Sequence, residues 1–318
     1  MGALLLVSTC GATNAFASTK SNTAAPVSSL AALERVLAKS IKQSQLPKNL
    51  VPSLTQLAGG QNVQGSSYLR TSCDPYVFNA QARDPSPCWY GSTTAKKTIV
   101  IFGDSYVGNW IPALNIAGQK LGFRVAEFSF VGCTTPFVNP SAGPGFDSAE
   151  VKACIAFHSN LPRSVNKLDP VAVIAANGSP SWGVAGNPSW ILNLGRAFDE
   201  MTTASNHPIR ILLGTGPKLP EAAPTCLATH STSINVCNFT YGAGSEFTAA
   251  LQRDTNAIAG AHVHLIPTYQ WICLNNVCPS VVGHIAVYAD TDHLTVAISK
   301  YLATLFEDAL APLLSAAK

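Results

Sequence analysis

The sequence predicts an α/β fold: a three-layer α/β/α sandwich with a mostly parallel five-stranded sheet, preceded by an N-terminal helical extension. Two patterns carry this expectation. From Thr98 onward, short β-branched runs alternate with longer stretches whose apolar residues recur at helical spacing. The strand candidates are also apolar at consecutive positions, as in Thr98-Ile99-Val100-Ile101-Phe102, which suits strands buried on both faces. Right-handed crossovers then place helices on both sides of the sheet.

Taken in order, residues 1–17 form an apolar run ending Ala15-Phe16-Ala17, small residues at the spacing a signal peptidase reads. A signal peptide is expected there, without the usual positive leader, and the mature chain would begin near Ser18. Cys10 invites a lipidation reading that Thr9 fits poorly. Residues 18–67 are expected to be a linker with one short amphipathic helix over 29–43, carried by Leu30, Leu33, Val36, Leu37 and Ile41. Pro47 and Pro52 end that pattern, and Gly59-Gly60 opens a loop. Residues 68–318 are expected to be the functional domain. Its strand candidates are 98–102, 123–128, 171–176, 209–213 and 262–266; its helix candidates are 107–121, 150–166, 189–204, 246–259 and 294–316.

Charged residues make up 12% of the chain and apolar ones 47%, with a formal charge of +3. No basic block is present, so nucleic acid is not an expected partner. No later apolar stretch has the length of a membrane span. Beyond Cys10 there are eight cysteines, and an even number behind an export signal favours disulfides over metal binding. Sequence does not dictate their connectivity. Pairing neighbours (Cys73 with Cys88, Cys133 with Cys154, Cys226 with Cys237, Cys273 with Cys278) closes short local loops.

The chemistry is concentrated in two segments. Gly103-Asp104-Ser105 follows the first strand of the alternating region, at the sheet edge where open α/β folds bind ligands beside a helix N-terminus. A serine there suits a nucleophile if a histidine takes its proton and a carboxylate holds that histidine. Asp290-Thr291-Asp292-His293 supplies both. A helical turn would bring Asp290 to His293, while Asp292 would diverge and complement the dipole of the following helix. Ser105 could instead cap its helix. A Gly-x-Ser-x-Gly elbow is excluded, because Val107 stands where the second glycine belongs.

Other candidates carry blander readings. Asp104 should point away from Ser105 and bond the surrounding loops. His262 and His264 share a strand face without a third ligand, so no metal site is expected. Ser164 and Lys167 match a Ser-x-x-Lys pattern whose partner motifs are absent. Trp182 and Trp190 are candidates for sugar stacking or for packing, in loops 137–150, 178–190 and 214–245 that would shape the pocket.

Gly103-Asp104-Ser105, Asn109-Trp110-Ile111-Pro112-Ala113-Leu114, Val131-Gly132-Cys133-Thr134-Thr135-Pro136 and Tyr288-Ala289-Asp290-Thr291-Asp292-His293-Leu294 together resemble the SGNH (GDSL-type) hydrolases. More narrowly, they resemble the SGNH domain found fused to membrane acyltransferase-3 proteins. The resemblance spans roughly residues 68–318 and implies a flavodoxin-like sandwich. It implies Ser105 as nucleophile, His293 as base, Asp290 as its orienting carboxylate, and the Gly132 and Ser105 amides as oxyanion donors. Asn177 falls where many SGNH enzymes carry an oxyanion-binding asparagine, although Ala175-Ala176-Asn177-Gly178 departs from the usual Gly-x-Asn-Asp. Asn-Gly is also a turn signal in its own right.

The expectation is therefore an exported serine esterase or O-acyltransferase acting on acetyl or other short-chain acyl esters of envelope glycans, with no metal or organic cofactor. A separate membrane acyltransferase is its expected acyl-supplying partner. A catalytically silent module that binds envelope glycan or protein is the alternative.

Overall fold

The computed structural model describes residues 24–59, 84–137, 147–178 and 189–316. In chain order the elements are α1 (Leu30–Ser40), α2 (Leu54–Gly59), β1 (Cys88–Gly91), β2 (Thr98–Gly103), α3 (Val107–Leu121), β3 (Arg124–Ser129), α4 (Ser148–Asn166), β4 (Ala172–Ala176) and α5 (Trp190–Glu200). Then come β5 (Ile209–Leu213), α6 (Ala223–Thr229), β6 (Phe239–Thr240), α7 (Glu246–Gly260) and β7 (His264–Ile266). The chain closes with β8 (Val277–Cys278), β9 (Val281–Val282), β10 (Ile285–Ala286), α8 (Val296–Tyr301) and α9 (Ala303–Ala316).

The central sheet has six strands in the order β1-β3-β2-β4-β5-β7. The five expected strands are all present and all parallel; the sixth, β1, pairs antiparallel with β3 at the edge. Numbered among themselves, the parallel strands run 2-1-3-4-5, the flavodoxin-like order, whose switch point lies between β2 and β4. Side chains of each strand divide between two cores. Ile99, Ile101, Val125 and Ile174 face the layer built by α3, α8 and α9, while Val100, Phe102, Phe128 and Val173 face α4, α5 and α7. This is the doubly wound arrangement that consecutive apolar strands require.

The helix expected over 294–316 is two helices, because Leu302 leaves the helical path between α8 and α9. The apolar stripe of Ile298, Leu302, Leu305, Phe306 and Leu310 runs through the break, so periodicity does not register it. The strand expected over 262–266 begins at His264, since His262 has φ +54. Helix α1 starts at a Ser29 cap whose Oγ accepts Ala32 N–H at 3.2 Å, and it buries Leu33 and Leu37 in the same core as α3 and α9. Helix α4 opens with a reciprocal capping box between Asp147 and Glu150.

Three of the neighbour pairs are disulfides: Cys133–Cys154, Cys226–Cys237 and Cys273–Cys278. Cys88 is also disulfide-bonded. Its expected partner Cys73, the expected signal segment and Trp182 lie outside the described residues. Among the described residues no helix is long and apolar enough to cross a membrane.

Candidate active site

Strand β2 ends at Gly103, in register with Ser129 of β3 and Ala176 of β4. The three strand ends converge so closely that a Cβ at Gly103 would overlap the Ala176 carbonyl oxygen, and φ is +151 there. Ser105 follows in the turn before α3, at the switch point, with only 8% of its surface exposed.

The opposing group comes from the segment between β10 and α8. Residues 288–294 fold back on themselves: Tyr288 bridges Leu294, and Ala289 N–H donates to the His293 carbonyl at 2.8 Å. Inside this loop Asp290 Oδ1 accepts the amides of Asp292 at 2.9 Å and His293 at 2.7 Å. Its Oδ2 lies 2.8 Å from His293 Nδ1, and His293 Nε2 lies 2.8 Å from Ser105 Oγ. With Nδ1 facing carboxylate, the neutral ring carries its proton there and Nε2 accepts from the serine hydroxyl. Serine, histidine and aspartate thus form one continuous hydrogen-bonded chain.

The expected helical turn at 290–293 is not present. An aspartate-capped loop performs the same approach, and it has a second result. Asp292 does not diverge from His293; its Oδ1 reaches Nδ1 at 3.3 Å. Burial alone would lower the His293 pKa, but the hydrogen bond and charge of Asp290, with the charges of Asp292 and Asp104, outweigh it and raise the pKa above the ordinary imidazole value. Burial would raise Asp290, yet its bond to His293 and the two amides hold it down at about 2. Asp292 is pushed upward, chiefly by burial and with the Asp290 charge adding to it, against the pull of His293 and the Tyr106 hydroxyl.

Asp104 braces the site through both carboxylate oxygens. Oδ1 accepts Tyr106 N–H at 2.9 Å and Oδ2 accepts Gly178 N–H at 2.8 Å. Burial pushes its pKa up to about 6 in spite of those amides. A Cβ at Gly178 would meet the Tyr106 ring at 2.7 Å, so a larger residue there would displace that ring. Asn177 is buried, and its Oδ1 accepts Thr135 N–H at 2.6 Å while its Nδ2 is buried without a hydrogen-bond partner. Gly132, at φ +68, lies in the turn beyond β3. The Phe130 N–H of the same turn donates to the Gly103 carbonyl at 3.0 Å.

Several supports were not anticipated. Asn109 Oδ1 accepts Leu294 N–H at 2.9 Å, tying the serine helix to the histidine loop; its place in the first turn of the helix that follows Ser105 was the available signal. Leu219 and Ala223 donate their amides to the carbonyls of Thr291 at 2.8 Å and Asp290 at 3.1 Å. Leu219 also borders a cavity of about 250 Å³ shared with Glu221, Val236, Phe239 and Thr240. Of the two readings of Trp190 the structure bears out packing: it is buried at the start of α5 with the Arg253 guanidinium 4.1 Å from its ring, so it is unavailable for sugar stacking. Ser164 is buried and Lys167 exposed, so they do not form a site.

Two groups of metal-ligand type occur among the described residues. In the first, Cys133 and Cys154 are bonded to each other beside His158. In the second, Asp290, Asp292 and His293 are engaged in the contacts already described.

The fold and this constellation define a flavodoxin-like α/β protein with a serine–histidine–carboxylate site at the sheet's switch point. Residues 72–308 match the family model of the SGNH domain (fused to AT3 domains), and the chain belongs to that family. Among solved structures it is similar to the periplasmic domain of a lipopolysaccharide acetyltransferase from Salmonella ser. Paratyphi A. The identity is 19%, covering 69% of this chain and 85% of that one, with a TM-score of 0.57. A carbohydrate acetylesterase from Sinorhizobium meliloti matches more loosely, at 14% identity over 68% of this chain and 99% of that one, with a TM-score of 0.45. No curated protein matches the chain.

Proposed function

We propose that this protein is a serine esterase or O-acyltransferase acting on acetyl or other short-chain acyl esters of cell-envelope glycans. The observation that carries the reading is the unbroken chain from Ser105 Oγ through His293 to Asp290 at the carboxyl end of a parallel sheet. His293 takes the Ser105 proton as Oγ attacks the ester carbonyl. Asp290, ionised throughout the working range, stabilises the imidazolium that forms. The amides of Ser105 and Gly132 and the Asn177 carboxamide receive the oxyanion, and the unpartnered Nδ2 of Asn177 favours this over a turn-only role. The imidazolium then returns the proton to the leaving alcohol, and water or a sugar hydroxyl takes the acyl group.

Family membership supports acyl chemistry in the company of a membrane acyltransferase, which would supply the acyl group as a separate partner. The three disulfides support an oxidising, extracytoplasmic compartment. The low exposure of Ser105 is the one observation that favours a silent binding module.

Hydrolysis of short-chain p-nitrophenyl esters by the purified protein, beside a folded Ser105→Ala variant, decides between them. Activity confined to the parent chain is expected. Equal rates in both would sink the serine mechanism.

A further inference from the structure

The turn beyond β3 is held from outside the triad. Cys133 is bonded to Cys154 of α4. One helical turn further along α4, His158 places Nε2 at 2.8 Å from the Thr134 carbonyl and 3.2 Å from Cys133 Sγ, with the Phe137 ring stacked on it at 4.6 Å. The next residue, Thr135, donates its N–H to Asn177 Oδ1 at 2.6 Å and its hydroxyl to the Ala176 carbonyl at 3.2 Å. The amide of Asn177 is therefore oriented by this turn: Oδ1 is occupied and only Nδ2 is left to face a reacting group.

His158 is costly for such a location. Its Nδ1 is buried without a partner, a penalty that a phenyl ring of similar shape would not carry, although that ring would also leave the Thr134 carbonyl without its donor. Burial holds its pKa down at about 4, so the ring is neutral at pH 7 and a donor only through Nε2–H. The structure spends that nitrogen on the one carbonyl between Cys133 and Thr135.

We propose that His158 is a positioning residue for the oxyanion site: by fixing the Thr134 carbonyl it sets the Gly132–Thr135 turn, and through Thr135 the donor face of Asn177. The inference rests on the acyl-transfer reading given above. It adds a residue on α4 that touches neither substrate nor triad.

The test compares the full chain with His158→Phe, His158→Gln, Asn177→Ala and the His158→Phe/Asn177→Ala pair, using p-nitrophenyl acetate and thermal unfolding. His158→Phe should melt near the parent temperature, since the orphaned Nδ1 disappears as the Thr134 carbonyl loses its donor, yet lose about tenfold or more in kcat with KM little changed. His158→Gln restores an N–H donor and should recover most of that loss. In the Asn177→Ala background the phenylalanine should cost nothing further, because both changes act through one group.

Parent-like kcat in His158→Phe, or losses that multiply in the pair, would overturn the proposal. Hydrogen exchange of the Thr135 amide, read by NMR without substrate, separates the inference from the functional reading. Exchange at least about tenfold faster in His158→Phe supports the clamp even if no ester is turned over; unchanged protection removes it. If His158→Phe fails to fold, the exchange and kcat of His158→Gln decide: both near parent values support the donor role, and a large loss in both refutes it.

Discussion

Asp292 Oδ1 lies 3.3 Å from His293 Nδ1, the same nitrogen that Asp290 Oδ2 meets at 2.8 Å, so one imidazole N–H faces two carboxylates. The shorter contact is fixed by two backbone amides on Asp290; Asp292 has the hydroxyl of Thr291 at 3.2 Å. The pair is unequal, and the inequality can be measured.

Asp290→Asn should lower kcat by about a hundredfold or more, since the proposed orienter loses its charge and the ring its preferred tautomer. Asp292→Asn should cost about tenfold or less, in line with its longer contact. Steady-state rates of the two variants and of the double variant check the order. Equal losses would mean that the two carboxylates share the role.

Activity should be lost on acidification. The proposed base, His293, would act in its neutral form, and the neighbouring carboxylates raise its pKa above the ordinary imidazole value. The acid limb of kcat/KM for an uncharged ester should therefore have its midpoint above about 6.5. Removing the Asp292 charge should move that midpoint down. A rate that is flat from pH 5 to pH 8 would exclude a histidine base.

Asn177→Asp separates the two ends of one side chain. An oxygen still accepts from Thr135 N–H, but the free donor becomes an acceptor bearing charge. A loss of about 10²–10³ in kcat is expected if Nδ2 serves the oxyanion. Retained activity with unchanged melting would assign the residue to the turn alone.

Glu127 offers a stability test far from the chemistry. It is buried on β3, opposite Cys88 of the edge strand, and burial pushes its pKa up to about 8 against a weaker opposing bond from Ser129. The folded state thus prefers the protonated acid. Its contribution is complete below the unfolded pKa of about 4.5 and fades as pH rises through 8, by up to ~1.4 kcal/mol per pH unit in between. Glu127→Gln removes the titration, so its melting temperature should gain on the parent's from pH 5 to pH 9. A constant gap would contradict the shift.

The parallel core was readable because its strands are short, largely apolar runs and its helices are long. β1 was not, being four residues, Cys88-Trp89-Tyr90-Gly91, at an edge that only β3 defines. Ser105, His293 and Asp290 were readable as a motif, but the relation of Asp292 to His293 was misjudged. Spacing assumed a helical turn, whereas Asp290 caps a loop that turns both neighbours inward. The amides of Leu219 and Ala223, which hold that loop, come from a stretch whose side chains carry no periodic signal. Backbone donors are invisible in sequence, and here they hold the site.

The three disulfides whose two cysteines are both among the described residues staple segments that leave the carboxyl ends of β3, β5 and β7, while Cys88 of the edge strand β1 carries a further one. The five parallel strands, which hold no cysteine, and the loops at their carboxyl ends therefore draw on different chemistry: burial assembles one, oxidation finishes the other. Made in a reducing cytoplasm, the chain should come out soluble and α/β by circular dichroism but feeble as a catalyst, and air or glutathione disulfide should mature it. The compartment in which it is produced becomes a determinant of its specific activity.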